Sequence, residues 1–337
     1  MKVLYIGQFS KGTTSRMRAT TLRQILEPAI FEIIDTHIPF YKTNKILRSL
    51  GFRYKMGPLI NNINAFIVDK LGNVNFDLIW IDKGVFINEK TIKALRGLTD
   101  RLVHFSPDPA FTFHRSKFFN ASIKYYDFLI TTKSYELKDY YKFKRKENIL
   151  YVTQGYDKDV HKKSNDDFNK KSGLLFIGHH EKSREIIIQL LINDGQSVTL
   201  AGINWHKFAK KNIKNKNLNY LGNGVYGEDY VKEIQNAKIA WGAISKWIPE
   251  LHTTRTFEIP ACGTALLTER NEELIAFFSD DEVIFYDNES ELIDKVNYYM
   301  ANHEALEVLT NNGHRKVKDD GYSYTSILRN VIKIIFE

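Results

Sequence analysis

Short apolar runs recur along this chain, each followed by a polar stretch long enough for a helix, and the series stops once and restarts. The first series comprises residues 3–6, 76–81, 102–105, 128–130 and 148–152. Strands of this length alternating with helical stretches of about ten residues or more make βαβ units, and hence parallel sheets. The loop 7–15 separates the first strand from a helix beginning near Arg16. The polar segment 157–172 follows, with Lys162, Lys163, Asp166, Asp167, Lys170 and Lys171 and almost no apolar residue, and reads as a linker. The alternation resumes at 173–178 and continues through 197–200, 218–221, 239–241, 265–268 and 283–285, turning helical from Ser290. The expected architecture is α/β, with two doubly wound parallel sheets facing a central cleft. Its parts are an N-terminal domain at 1–156, a linker at 157–172, a C-terminal domain at 173–320, and a final helix at 321–337 packing back on the N-terminal domain. Ligands of such sheets sit beyond the C-terminal ends of the strands, so the strand-to-helix loops are where chemistry is expected.

Composition narrows the class. A chain of 337 residues fits two domains, and 43% hydrophobic with 26% charged residues is a globular balance. The apolar run near the N-terminus is too short for a secretory signal, and no stretch approaches the ~18 apolar residues of a membrane span. Cys262 is the only cysteine, which excludes an internal disulfide framework and a cysteine-based zinc site. A cytoplasmic protein is expected. The net charge of +8 gathers at Lys142, Lys144, Arg145 and Lys146, and at Lys207, Lys210, Lys211, Lys214 and Lys216. Such patches suit anionic lipid at the inner face of the cell membrane, a polyanionic acceptor, or a plain solvated surface. No nucleic-acid motif accompanies them, and no nucleic-acid partner is expected.

The richest loop is residues 249–263, PELHTTRTFEIPACG. Thr253 or Thr254 can cap a short helix that Gly263 ends. Free amides at its start and the fork of Arg255 suit a phosphate. Glu258 can accept from the two vicinal hydroxyls of a ribose, or can be an exposed helix-surface carboxylate. Glu250 lies eight positions earlier. After the strand at 173–178, His179, His180, Lys182 and Arg184 stand where the strand opens into a helix. Gly222 and Gly224 follow a third strand. In the N-terminal half, Gly7 and the loop leading to Arg16 and Arg18 can meet an anionic acceptor. His104 and Asp108 end another strand and can supply a base, although His104 also fits a core imidazole. Asp157-Lys158-Asp159 has the form of a metal-binding motif but stands at the domain junction, and reads as a turn.

Residues 252–263, HTTRTFEIPACG, followed by Leu267-Thr268-Glu269-Arg270, resemble the signature of the CgeB-like glycosyltransferases of the GT-B superfamily. The resemblance extends to residues 176–178 with Arg184, to 126–134, and to Gln154-Gly155-Tyr156-Asp157 with Val160 and His161. It covers roughly residues 100–320, and 255–263 is its most specific part. It implies two Rossmann-like domains, a nucleoside diphosphate sugar as donor (a UDP-sugar expected), no cofactor and no essential metal. The acceptor it implies is a saccharide or lipid-linked glycan held by the N-terminal half. By position, Glu258 would bind the donor ribose, Arg255, Thr254, Arg184 and Lys182 the diphosphate, and Gly178, Gly222 and Gly224 would let backbone approach the nucleotide. Glu250 takes the place of a glutamate that contacts the transferring sugar in related enzymes. Those enzymes continue with Gly-Phe-Gly where this chain has Leu251-His252-Thr253, so retaining stereochemistry stays open. A nucleotide-sugar epimerase on the same fold, or a binding protein without turnover, are the alternatives.

Overall fold

The computed structural model describes residues 1–72, 74–164 and 167–337; Asp166 of the polar segment lies outside the described residues. The chain folds as two compact units, Met1–Thr153 with Tyr324–Glu337, and Gln154–Ser323. The polar segment is part of the second unit and the last helix part of the first.

In the first unit, β1 (Lys2–Gly7) leads through α1 (Thr14–Leu26) to β2 (Ile30–Asp35). Three helices follow, α2 (His37–Lys42), α3 (Lys45–Tyr54) and α4 (Pro58–Lys70). Then come β3 (Leu78–Asp82), α5 (Glu89–Arg96), β4 (Leu102–Ser106), α6 (Lys117–Ser122), β5 (Phe128–Thr131), α7 (Leu137–Tyr140) and β6 (Ile149–Tyr151). The strands form one sheet in the order β2-β1-β3-β4-β5-β6, every pairing parallel. β3 and β4 are buried along their whole length, because helices cover both faces of the sheet. That burial is why they read as unbroken apolar runs.

The second unit repeats the plan. It runs β7 (Leu174–Ile177), α8 (Lys182–Asn193), β8 (Val198–Ala201), α9 (His206–Lys211), β9 (Leu218–Tyr220), α10 (Gly227–Asn236) and β10 (Ile239–Trp241). It continues with α11 (Arg255–Ala261), β11 (Ala265–Glu269), α12 (Glu272–Phe277), β12 (Ile284–Tyr286), α13 (Glu289–Ala301) and α14 (His303–Asp319). Its strand order is β12-β11-β10-β7-β8-β9, again all parallel. Helix α15 (Tyr324–Phe336) returns to the first unit, where Leu328, Val331 and Ile335 join Val3, Tyr5 and Trp80 in the core beside α1.

The sequence-read strands match the sheets, with one stretch unread. Residues 30–70 hold β2 and α2–α4. β2 is an edge strand whose Glu32 interrupts its apolar residues, and its burial is only partial, so it lacks the pattern of its neighbours.

Each sheet reverses its winding once. The chain leaves β1 toward β2 and later places β3 on the other side, so the first switch point lies between β1 and β3. In the second unit it lies between β7 and β10. Crevices open at such points beyond the C-terminal strand ends.

Candidate functional site

The loops after β7 and β10 converge on the second switch point. Glu181, buried just before α8, holds Arg184 through an Oε1–Nη2 contact of 2.9 Å, and its Oε2 accepts the Lys246 amide at 3.0 Å. Arg184 Nη1 donates to the His179 carbonyl at 3.0 Å, and the guanidinium lies over the Phe176 ring at 5.7 Å. Its Nε is buried without a hydrogen-bond partner among the described residues, and so is Nε of Arg255. Burial first, and then the Arg255 charge, hold the Arg184 pKa below its ordinary value, against Glu181, Glu250 and Glu269. His179 is likewise held low, by burial and then by Arg184 and Arg255. The two guanidiniums are thus close enough for each charge to disfavour the other.

Helix α11 presents Arg255. The helix has seven residues, carries Pro260 in its last turn, and ends at Gly263 with φ of 71°. Thr254 occupies the N-cap position, but in helical conformation and without capping; its Oγ1 donates to Glu258 Oε2 at 3.1 Å. Thr256 instead accepts the Thr253 amide, at 3.1 Å. The expected threonine cap is thereby corrected: the hydroxyl is drawn inward by a carboxylate one turn on.

Glu258 is buried, which rules out the exposed-surface alternative. Tyr230 Oη donates to Oε2 at 2.7 Å, joining Thr254, so both lone pairs of that oxygen are engaged. Burial and then the Glu258 charge push the Tyr230 phenol well above its ordinary pKa, so it remains the donor. His161 Nδ1 accepts the Asp157 amide at 3.1 Å, which leaves Nε2 as the ring's donor, 3.6 Å from Glu258 Oε1. Oε1 therefore keeps acceptor capacity.

Gly178 follows β7 directly, and its carbonyl accepts from Trp205 Nε1 at 2.8 Å. Gly202, with φ of 147°, packs so closely that a Cβ there would lie 1.8 Å from the Gly178 oxygen. The Gly222 carbonyl accepts the Gly202 amide at 2.9 Å, tying the third loop to the first two, while Gly224 lies in the same loop, half-buried. Glu250 is half-buried and near enough to Arg184 to favour its charge. Lys182 is exposed and pairs along its own helix with Glu185 at 2.7 Å, and His180, just before the helix, also meets Glu185 at 2.6 Å. His252 is buried, its Nε2 accepting the Gln154 amide at 2.9 Å and its Nδ1 meeting Glu273. Asp157 accepts the Asp159 amide on its side chain at 2.8 Å, so the Asp-Lys-Asp segment is a turn.

In the first unit, Gly7 ends β1 where a Cβ would come within 2.9 Å of Ser15 Oγ. Arg16 is exposed, over the Phe9 ring. Arg18, expected to meet an acceptor, is instead sealed in the core. It holds Asp82 at 2.7 and 3.0 Å and stacks over Phe105 at 4.6 Å. His104, expected as a possible base, is also sealed. It packs between Phe119 and Tyr126, and burial lowers its pKa to about 3 against the pull of Asp82. Asp108 stays partly exposed and pairs with Lys83, with His114 at 3.7 Å. Surrounding protein acts to raise its pKa, but Lys83 and then His114 bring it down to about 2. A pocket at the β1/β3 switch point is lined by Gln8, His37, Asp82 and Lys83 with Phe40, Phe52 and Phe86.

Sequence reasoning did not find Tyr230 or Glu181 as partners of the site. Glu181 stands three positions before Arg184, a spacing that could have flagged the pair. Tyr230 is 28 positions from Glu258 and carries no local signal.

Two doubly wound six-stranded parallel units of this kind define the GT-B fold. Residues 182–333 match the model of the family described as glycosyl transferase-like. The whole structure is similar to Anabaena HepE in complex with UDP and glucose, at 14% identity and a TM-score of 0.65, covering 100% of both chains. It is also similar to sucrose-phosphate synthase from Thermosynechococcus elongatus, at 10% identity and a TM-score of 0.65, covering 99% of this chain and 98% of that one. UDP-GlcNAc 2-epimerase from Neisseria meningitidis, bound to UDP-GlcNAc, aligns at 12% identity and a TM-score of 0.58 over 100% of both chains. No curated protein sequence matches this chain. Among the described residues, no helix is long and apolar enough to cross a membrane.

Proposed function

We propose that this chain is a glycosyltransferase of the CgeB-like kind, moving a sugar from a nucleoside diphosphate sugar to an acceptor hydroxyl without an essential metal. The observation that carries this reading is the pair of buried Arg184 and half-buried Arg255 at the β7/β10 switch point, near enough for each charge to act on the other. A diphosphate departs with developing negative charge, which fixed guanidiniums stabilise in place of a cation. Glu258 Oε1 accepts a ribose hydroxyl, Glu250 approaches the sugar, and the loops at Gly178, Gly222 and Gly224 admit the nucleotide. The neighbours solved with UDP and UDP-sugars support a UDP-sugar donor.

Acceptor contacts belong to the β1/β3 switch point of the first unit, where the pocket sets aromatic rings beside charged groups, a lining suited to a saccharide or lipid-linked glycan. Such an acceptor fits cell-surface polysaccharide synthesis in the cytoplasm. Asp108, partly exposed beside Lys83 and His114, takes the role of base in preference to the sealed His104 by its access to an acceptor. The likeness to an epimerase supports a second reading, interconversion of the nucleotide sugar itself.

A melting-temperature panel of UDP, GDP, CDP and dTDP, alone and as their sugars, tests the donor site. A ligand at about 100 times its Kd raises stability by about 2.7 kcal/mol. We expect UDP and a UDP-sugar to stabilise the protein, and release of UDP on incubation with the sugar nucleotide. An epimerised sugar nucleotide with no UDP released would favour the second reading. No shift with any nucleotide would remove the donor site.

A further inference from the structure

Helix α3 carries its apolar stripe on the outside. At 100° per residue, Ile46, Leu50, Tyr54 and Leu47 share one face, and they are 71, 49, 54 and 42% exposed. The face packed on α4 is marked by Gly51, where a Cβ would lie 2.6 Å from Leu59 Cβ. Arg48 lies over the rings of Phe40 and Tyr41, and Phe52 packs against Phe40 and Phe86. The helix is thus held mainly by other residues, and none of the stripe belongs to the buried core. Ile38 and Met56, in α2 and in the turn after α3, continue the exposed apolar surface.

Along this segment the charge has one sign. Between Asp35 and Asp69 the chain has no Asp or Glu, whereas Lys42, Lys45, Arg48, Arg53 and Lys55 all fall there. Lys42, Lys45 and Arg53 are exposed beside the stripe. An apolar face rimmed by cations and free of anions is the pattern of a helix lying in a membrane interface, its apolar side chains at the acyl boundary and its cations among phosphates. A second copy on the same face would set like charges against each other.

We propose that α3, with its flanking turns, docks this protein on an anionic phospholipid surface. This goes beyond the proposed reaction and stands without it. The test is co-sedimentation of the full chain with vesicles of phosphatidylcholine, with and without phosphatidylglycerol. The wild type is expected to pellet with the anionic vesicles only and to be released by salt. The I46E/L50E double variant alters exposed side chains and should keep its melting temperature. Its vesicle binding is expected to fall by about tenfold or more. Ile213→Glu, at an exposed position of the second unit, should bind as the wild type does. No binding to anionic vesicles, or equal binding by the double variant, overturns the proposal. So does a wild-type dimer in sedimentation velocity that the double variant abolishes, with no vesicle binding. Failure of UDP to bind would count against the transferase reading and leave this one standing.

Discussion

Two buried arginines in this protein have opposite fates. Arg18 finds a whole carboxylate in Asp82, bonded through two nitrogens, and burial does not cost it its charge; desolvation is the largest single influence on its pKa, but Asp82, Tyr324 and Tyr5 together outweigh it and raise the value. In such a pair the guanidinium is already satisfied, and removing one partner leaves a buried charge that is strongly destabilising. Arg184 shares its carboxylate, Glu181, with a backbone amide and lies near a second guanidinium, so an incoming anion has something to gain there. The difference was not legible locally, because Asp82 is 64 positions from Arg18. Glu258 and Arg255 were legible, since one short helix carries both. His104 yields a test at this scale. Its folded-state pKa of about 3 is below the ~6.5 of an unfolded histidine, so the unfolded chain takes up the proton first. Stability from this group is therefore complete above that ordinary value and is lost as pH falls toward 3. Denaturant unfolding should show about 2 kcal/mol lost to this group between pH 7 and pH 5. His104→Leu should flatten that limb, and an unchanged acid limb in the variant would reject the assignment.

At the scale of elements, the strands of both sheets were readable because burial on two faces demands apolar runs. β2 escaped because an edge strand need not meet that demand. α3 escaped for the opposite reason: its apolar spacing is regular, yet it does not face the core. The loops of the second unit depend on backbone that only glycine supplies. Gly202→Ala puts a Cβ against the Gly178 oxygen at a φ that side chains rarely adopt, while Gly222→Ala, at φ of 98°, meets only open space. The expected cost is about 3 kcal/mol or more for Gly202→Ala and about 1–2 kcal/mol for Gly222→Ala. Chemical denaturation of both variants checks the order. Equal losses would mean that the contact between the first two loops does not hold the site.

For the whole molecule, one winding rule used twice gives two units, each with its own switch point and its own set of charged loops. The second unit gathers a guanidinium pair and a braced carboxylate, and the first an aromatic pocket beside Lys83 and Asp108. The alternation of runs made this plan legible, but the partners that tune each site come from loops far apart in sequence. Calorimetric titration of UDP into the wild type, Arg255→Ala and Glu258→Ala tests the central claim most directly. Each lost charge-assisted hydrogen bond is worth about 1.5–3 kcal/mol. Both variants should therefore bind about ten- to a hundredfold more weakly than the wild type while melting as folded proteins. Wild-type affinity in both would contradict the donor site.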